Sequence, residues 1–231
     1  MSHYYSPNPH LPHEKTVIEY TVEGRRLRFV TDAGVFSRQK VDYGSSVLIR
    51  TLPPLTGEVL DLGCGYGPIG ISLAALNPLA QVTMVDINQR AVALAQENIS
   101  ANSVANAQAL VSEGFALAPG PFATIVSNPP IRAGKDVIYP LFRESLQRLE
   151  KGGSLWLVVQ KKQGAPSAQA ELENIFGNCT VVEKSGGYWI LRSTAKANGI
   201  PFEMRLDVPN ADTLAANNKV HGILRKMEAE E

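Results

Sequence analysis

Two short segments carry residues whose types and spacing could do chemistry. The first is the glycine-rich run Gly63-Cys64-Gly65-Tyr66-Gly67-Pro68-Ile69-Gly70, entered from the apolar stretch Val59-Leu60-Asp61-Leu62. The second is Asn128-Pro129-Pro130, which starts 58 residues after Gly70. Glycines at this spacing permit a tight strand-to-helix turn and a close approach of backbone to ligand. Gly65-x-Gly67-x-x-Gly70 satisfies the dinucleotide fingerprint, so a nicotinamide oxidoreductase is one reading. Asp61 argues otherwise. A carboxylate at the strand tip repels a diphosphate and suits a ligand that carries a sulfonium and an ammonium group, such as S-adenosylmethionine. Asp86 lies 25 residues after Asp61, at the end of the next apolar run, where a carboxylate can accept bonds from ribose hydroxyls. Ile87 follows it, and Ser112-Glu113 ends a third run, in position to frame an adenine. Turn capping is the competing role for Asp61 and Asp86.

Asn128 follows the strand-like Phe122-Ala123-Thr124-Ile125-Val126. Two prolines fix φ and are expected to hold the chain extended, aiming the backbone carbonyls. A planar exocyclic amine is a weak nucleophile because its lone pair is delocalised. The Asn128 side-chain oxygen and the Pro129 carbonyl could accept its two N–H bonds and turn the lone pair toward a methyl donor. Positioning and electrostatics then supply most of the rate. A plain strand-terminating turn is the alternative.

These residues need a scaffold, and the rest of the chain reads as one. Strands are expected at Thr16–Val22 and Arg25–Thr31, around Glu23-Gly24, then at Glu58–Leu62, Gln81–Asp86, Ala107–Ser112, Phe122–Ser127 and Ser154–Gln160. Helices are expected at Pro68–Leu76, Gln89–Ala101, Val137–Leu149 and Pro166–Phe176, and a short helical stretch ends at Val47–Leu52. The alternation predicts an α/β doubly wound, Rossmann-like parallel sheet. Cys179–Lys184 and Tyr188–Arg192 meet at Ser185-Gly186-Gly187, predicting a terminal antiparallel hairpin. Residues 1–15 read as a flexible lead-in, 16–194 as a single catalytic domain and 195–231 as an appendage with alternating segments such as Phe202–Leu206.

A chain of 231 residues can bury one good core, and 44% hydrophobic content agrees. The net charge of zero excludes a strongly basic nucleic-acid binder, so any RNA contact must be local. Candidates for a basic rim are Arg25, Arg26, Arg28, Arg38, Arg132, Lys135, Lys161 and Lys162, with solvated surface as the alternative. Two unpaired-looking cysteines, Cys64 and Cys179, fit a reducing compartment without structural zinc. Cys64 has no histidine placed to activate it and reads as a small loop residue. His3, His10 and His13 fall in the lead-in and read as tail rather than metal ligands, so no metal is expected. Without a signal-peptide core or an apolar run of membrane length, a cytoplasmic protein with no membrane contact is expected.

Five segments together resemble a known family: Gly34-Val35-Phe36-Ser37, Val41-Asp42-Tyr43-Gly44-Ser45, Asp61 to Gly70, Asn128-Pro129-Pro130-Ile131-Arg132-Ala133-Gly134-Lys135 and Gln160 to Ala165. From about Tyr20 to Arg192 the chain resembles the class I S-adenosylmethionine-dependent methyltransferases of the "methyltransferase small" group. Within it, the small-subunit ribosomal RNA guanine-N2 methyltransferases and their short single-domain bacterial relatives look most similar. The resemblance implies S-adenosylmethionine as cofactor, ribosomal RNA as partner and methylation of a guanine exocyclic amine. The expected cofactor set is Asp61, Gly63, Cys64, Gly65, Gly67, Asp86, Ile87, Ser112, Glu113 and Asn128. Asn128, Pro129 and Pro130 form the expected catalytic element. Phe36, Ile131, Arg132, Lys135, Lys161 and Lys162 form the expected substrate set. Family members often carry an aromatic residue where Ile131 stands, so stacking on the target base would come from elsewhere, such as Phe36 or Tyr139. The longer ribosomal enzymes also resemble two fused halves, and this chain has one. Protein glutamine N-methylation and a non-catalytic RNA-binding or assembly module remain alternatives.

Overall fold

The computed structural model describes residues 12–196. The lead-in through Leu11, with His3 and His10, and the appendage beyond Lys196, with Phe202–Leu206, lie outside the described residues. The chain opens with an antiparallel hairpin of β1 (Thr16–Val22) and β2 (Arg25–Thr31), turned at Glu23-Gly24. A loop leads to α1 (Tyr43–Thr51), which begins where Asp42 caps it by accepting from Ser45 N. There follow β3 (Gly57–Leu62), α2 (Pro68–Leu76), β4 (Ala80–Asp86), α3 (Gln89–Ala101), β5 (Ala107–Val111) and β6 (Phe122–Ser127). The second half runs through α4 (Lys135–Arg148), β7 (Leu149–Gln160), α5 (Ala165–Phe176), β8 (Thr180–Ser185) and β9 (Tyr188–Thr194).

Strands β3 to β9 form one seven-stranded sheet in the order β5-β4-β3-β6-β7-β9-β8. The first five are parallel, and β9 runs antiparallel between β7 and β8. This is the doubly wound sheet with its antiparallel end that the alternation implied. Its central strands are apolar on both faces because helices cover both. One face packs Val59, Met84 and Val126 against Leu48, Ile71 and Val92 from α1, α2 and α3. The other packs Leu60, Ile125 and Leu157 against Ile138, Phe142 and Leu172 from α4 and α5.

Most boundaries fall within two residues of expectation, as at α4, which opens at Lys135 rather than Val137, and two ends were not anticipated. Helix α1 reaches back to Tyr43, because the Asp42 cap fixes its start. Strand β7 begins at Leu149, which pairs with Phe122; its register then jumps so that Thr124 meets Ser154. The intervening Glu150–Gly153 bulges out, with Gly152 at φ 80°, so Gly152-Gly153 bends the strand.

Candidate active site

The site forms where the parallel strands end, the edge at which doubly wound sheets bind ligands. Beyond β3 the backbone turns at Gly63, Gly65 and Gly67, with φ of 76°, 57° and 90°. Gly63 N and Cys64 N both donate to Val85 O at 2.9 Å, which ties the turn to β4. A side chain added at Gly63 or Gly65 would meet nothing within 4 Å, so the turn is open to an approaching ligand. Gly70 differs: a Cβ there would lie 2.5 Å from Met84 Cγ, so this glycine lets α2 pack on the sheet.

Asp61 is fully buried beneath the turn. Its Oδ2 accepts from Gly70 N at 2.8 Å, and its Oδ1 has no hydrogen-bond partner among the described residues. Burial pushes its carboxyl up to about 7; the nearby Asp86 adds to this and the Gly70 bond opposes it. The first turn of α2 is thus already served by an internal carboxylate, and a diphosphate would meet repulsion there. An orphaned buried carboxylate oxygen under an open turn fits a ligand that brings positive charge. Asp86 performs two tasks at once. Its Oδ2 accepts from Gly65 N and its Oδ1 from Asn88 N, both at 2.8 Å, while each oxygen keeps a further lone pair for a ribose hydroxyl. Burial raises its pKa, and the backbone bonds from Asn88 and Gly65 restrain the rise. Capping and ligand binding are therefore compatible for this carboxylate.

Ile87, beside Asp86, is 51% exposed and offers an apolar surface for an adenine. Ser112 is buried, and its hydroxyl accepts from Leu117 N at 3.0 Å and donates to Gly114 O at 3.2 Å, which shapes the following loop. Glu113 is exposed beside it. Cys64 is buried with Sγ directed at Gly65 O, and burial pushes its thiol well above the ordinary range. That suits a space-filling loop residue, not a nucleophile.

Asn128 follows β6, one strand away from Asp61, and Ser127 Oγ locks the two strand ends together by donating to Leu62 O at 2.7 Å. The Asn128 carboxamide is oriented from outside its own segment. Its Nδ2 donates to Ser45 Oγ at 3.0 Å and to Asp42 Oδ2 at 3.2 Å. A carboxylate only accepts, so the face of the amide turned toward Asp42 must be the NH2, and Oδ1 is not engaged by Asp42 or Ser45. Tyr188 completes this backing. Its hydroxyl pKa is raised by burial and by Asp42, and its ring covers Gly44, where a Cβ would lie 2.6 Å from Tyr188 Cδ1.

The proline pair behaves differently from expectation. Pro130 has φ −74° and ψ 72°, an inverse γ-turn, and Ile131 N donates to Pro129 O at 2.8 Å. Only Asn128 and Pro129 precede a proline and are held extended; Pro130 precedes Ile131, so its ψ is free to fold back. The Pro129 carbonyl therefore offers one remaining lone pair.

Arg132 sits in a 3-10 turn at Ile131–Ala133, Lys135 opens α4, and Lys161 and Lys162 lie in a second such turn after β7; all four side chains are exposed. Gly164 approaches Ile131, which brings the second turn to the Asn128 edge. Arg25, Arg26 and Arg28 do not join this rim. Arg25 and Arg26 line a groove of about 430 Å³ with Pro78, Asn102 and Asn106, and Arg28 pairs through its backbone with Asn102. Those residues precede β4 and β5, at the opposite edge of the sheet. Arg38 is bound to Glu14 at 2.8 Å, and His13 to Asp32. Phe36, 47% exposed, lies in the loop before α1, next to Ser37, whose carbonyl accepts from Tyr66 Oη at 3.4 Å. Tyr139 is half-buried against Phe142. Asp42, Ser45 and Tyr188 were not expected at the site from sequence, although Asp42 and Ser45 stand in Val41-Asp42-Tyr43-Gly44-Ser45, one of the segments that carry the family resemblance; a polar pair at a helix start was the available signal. Among the described residues no group of three or more His, Cys, Asp or Glu is placed to hold a metal, and no helix is long and apolar enough to cross a membrane.

A seven-stranded sheet with an antiparallel penultimate strand, an acid-tipped glycine turn and an oriented Asn-Pro-Pro define a class I methyltransferase. Residues 26–192 match the methyltransferase small domain model, and the chain belongs to that family of S-adenosylmethionine-dependent enzymes. It is 43% identical over 195 residues to YbxB of Bacillus subtilis (strain 168), covering 83% of this chain and 97% of that one. Ribosomal RNA small subunit methyltransferase C of Vibrio cholerae is 35% identical over 172 residues, 73% of this chain and 49% of the relative. Among solved structures, T. thermophilus 16S rRNA N2 methyltransferase RsmC, in complex with AdoMet and guanosine, superposes with a TM-score of 0.71 at 29% identity. That match covers 80% of this chain and 52% of the other, so the chain spans about half the length of the ribosomal RNA enzymes it matches.

Proposed function

We propose that this protein methylates the exocyclic N2 amine of a guanine in ribosomal RNA. The observation that carries the reading is the Asn128 carboxamide, whose NH2 is held by Asp42 and Ser45 and whose Oδ1 is thereby left as an acceptor for the target. S-adenosylmethionine, when bound, supplies an electrophilic methyl on a sulfonium. Asp61, Gly63, Gly65 and Asp86 would hold it, with the Asp61 carboxylate balancing its positive charge. Asn128 Oδ1 and the free lone pair of Pro129 O would accept hydrogen bonds from the two amine N–H groups, drawing the nitrogen lone pair out of conjugation with the ring, and the methylated nitrogen then sheds one proton to solvent. The reaction then needs alignment more than a base, and a rigid strand end supplies alignment. Relatives named as ribosomal RNA methyltransferases support the RNA substrate, and the guanosine in the T. thermophilus complex supports the base.

The test is mass mapping of ribosomal RNA from cells with and without this protein. One N2-methylguanosine should vanish in its absence and return with the parent but not with Asn128→Ala. An unchanged RNA, or label transferred to a glutamine side chain instead, would overturn the reading.

A further inference from the structure

Tyr43 carries a feature that cofactor binding and Asn128 do not explain. It is 46% exposed although it opens α1 beside Asp42, the residue that orients Asn128. Its ring is fixed. The hydroxyl is 2.8 Å from Ser185 Oγ, and the ring lies 6.1 Å from that of Tyr188 at 51°. One side rests on the β8–β9 turn, where a Cβ at Gly186 would run into the ring. Gly186 has φ 55° and no side chain, which leaves room for the aromatic to sit against the turn. A tyrosine whose hydroxyl is anchored and whose ring abuts the turn, yet which stays half-exposed, offers solvent a fixed aromatic surface.

The surroundings indicate what such a surface meets. Lys161 N donates to Gly187 O at 2.8 Å, so the exposed Lys161-Lys162 pair borders the same turn. A fixed aromatic face beside paired cations is the combination that binds single-stranded nucleic acid, with the base on the ring and phosphate on the lysines. Tyr43 spans the gap between this surface and the reaction centre. Its backbone stands next to Asp42, which holds the Asn128 amide, while its hydroxyl end reaches Ser185 at the end of β8, three strand spacings of about 4.8 Å beyond β6. The outer part of the ring is therefore placed to the side of the Asn128 edge, where a nucleotide neighbouring the target would lie.

We propose that Tyr43 is a stacking platform for an unpaired base flanking the target guanine, so that the substrate is a single-stranded or loop segment of RNA rather than a duplex. The inference rests on the RNA reading above and adds a second base position to it. A duplex would keep the flanking base paired and stacked in its own helix, unable to lie on the ring.

The experiment measures fluorescence anisotropy of a labelled, purine-rich single-stranded RNA, and of the same strand annealed to its complement, with the parent chain, Tyr43→Ala and Tyr43→Phe. S-adenosylmethionine calorimetry on each variant reports whether the cofactor half is intact. The parent should prefer the single strand. Tyr43→Ala should weaken that binding by about 5- to 150-fold, the range for losing one base–aromatic stack, while barely affecting the duplex. Tyr43→Phe keeps the ring and should stay close to the parent. Parent-like RNA affinity in Tyr43→Ala would overturn the platform alone, provided the parent methylates ribosomal RNA. A parent that neither binds nor methylates RNA would overturn both the platform and the proposed function.

Discussion

Replacing Asp61 by asparagine removes one charge from the centre of the proposed cofactor site while preserving its shape, since an amide oxygen can still accept from Gly70 N. The structure sets the size of the effect. The buried Asp61 carboxyl titrates at about 7. Roughly ten of every eleven molecules then hold the proton near pH 6, and roughly one in eleven near pH 8. A cofactor that carries positive charge favours the ionised form. Apparent affinity for S-adenosylmethionine should therefore rise about tenfold across that interval, or about 1.4 kcal/mol. Stability of the cofactor-free protein should move the other way. The folded carboxyl lies above its ordinary 3.8, so its contribution is fully present below about pH 4 and is lost as pH rises through about 7. Calorimetric titrations and urea melts at several pH values read both slopes. Asp61→Asn should flatten each of them. A parent affinity that does not change between those pH values would refute the pairing of this carboxylate with the cofactor's charge.

Asn128→Ala should leave S-adenosylmethionine affinity nearly intact and slow methyl transfer by about 100-fold or more, as expected for one lost transition-state hydrogen bond; normal turnover on ribosomal RNA would contradict the role given to Oδ1. Asp42→Ala should cost about 1 kcal/mol in a denaturant melt through loss of the α1 cap, and should lower kcat by releasing the Asn128 amide, whereas Asp42→Asn keeps an acceptor and should recover much of both. Gly70→Ala places a Cβ 2.5 Å from Met84 Cγ and should destabilise the fold by about 1–3 kcal/mol; an unchanged urea midpoint would show that α2 can shift away.

Much of this architecture was legible in the sequence because the relevant signals are local. Strand β6 and Asn128-Pro129-Pro130 stand next to each other in the chain, and the glycine turn follows directly on β3. Proline and glycine mark these boundaries through backbone sterics that need no partner. The orientation of Asn128 was not legible, because it depends on Asp42 and Ser45, 86 and 83 residues earlier. Nothing in the composition of either segment announces that pairing. The arginines of the N-terminal hairpin misled for a similar reason. Their charge suggested a common rim, but the hairpin turn carries Arg25 and Arg26 to the far edge of the sheet. Pro130 shows a subtler limit: two prolines in a row restrict only the residues that precede them, and the second is free to turn.

The position of β9 has a consequence for how this protein could diversify. An all-parallel sheet delivers only the ends of its strands to the reactive edge, each committed to a helix that follows. Because β9 runs the other way, a complete hairpin turn, Ser185-Gly186-Gly187, arrives at that edge with no helix behind it. The turn lies on the Asn128 side of the sheet and is separated from the glycine turn by β6, β7 and β9. Its length and sequence can change without re-registering β3, β4 or β5. One strand reversal thus gives the enzyme a replaceable fingertip, by which a lineage could exchange one target for another while its hold on the methyl donor stays the same.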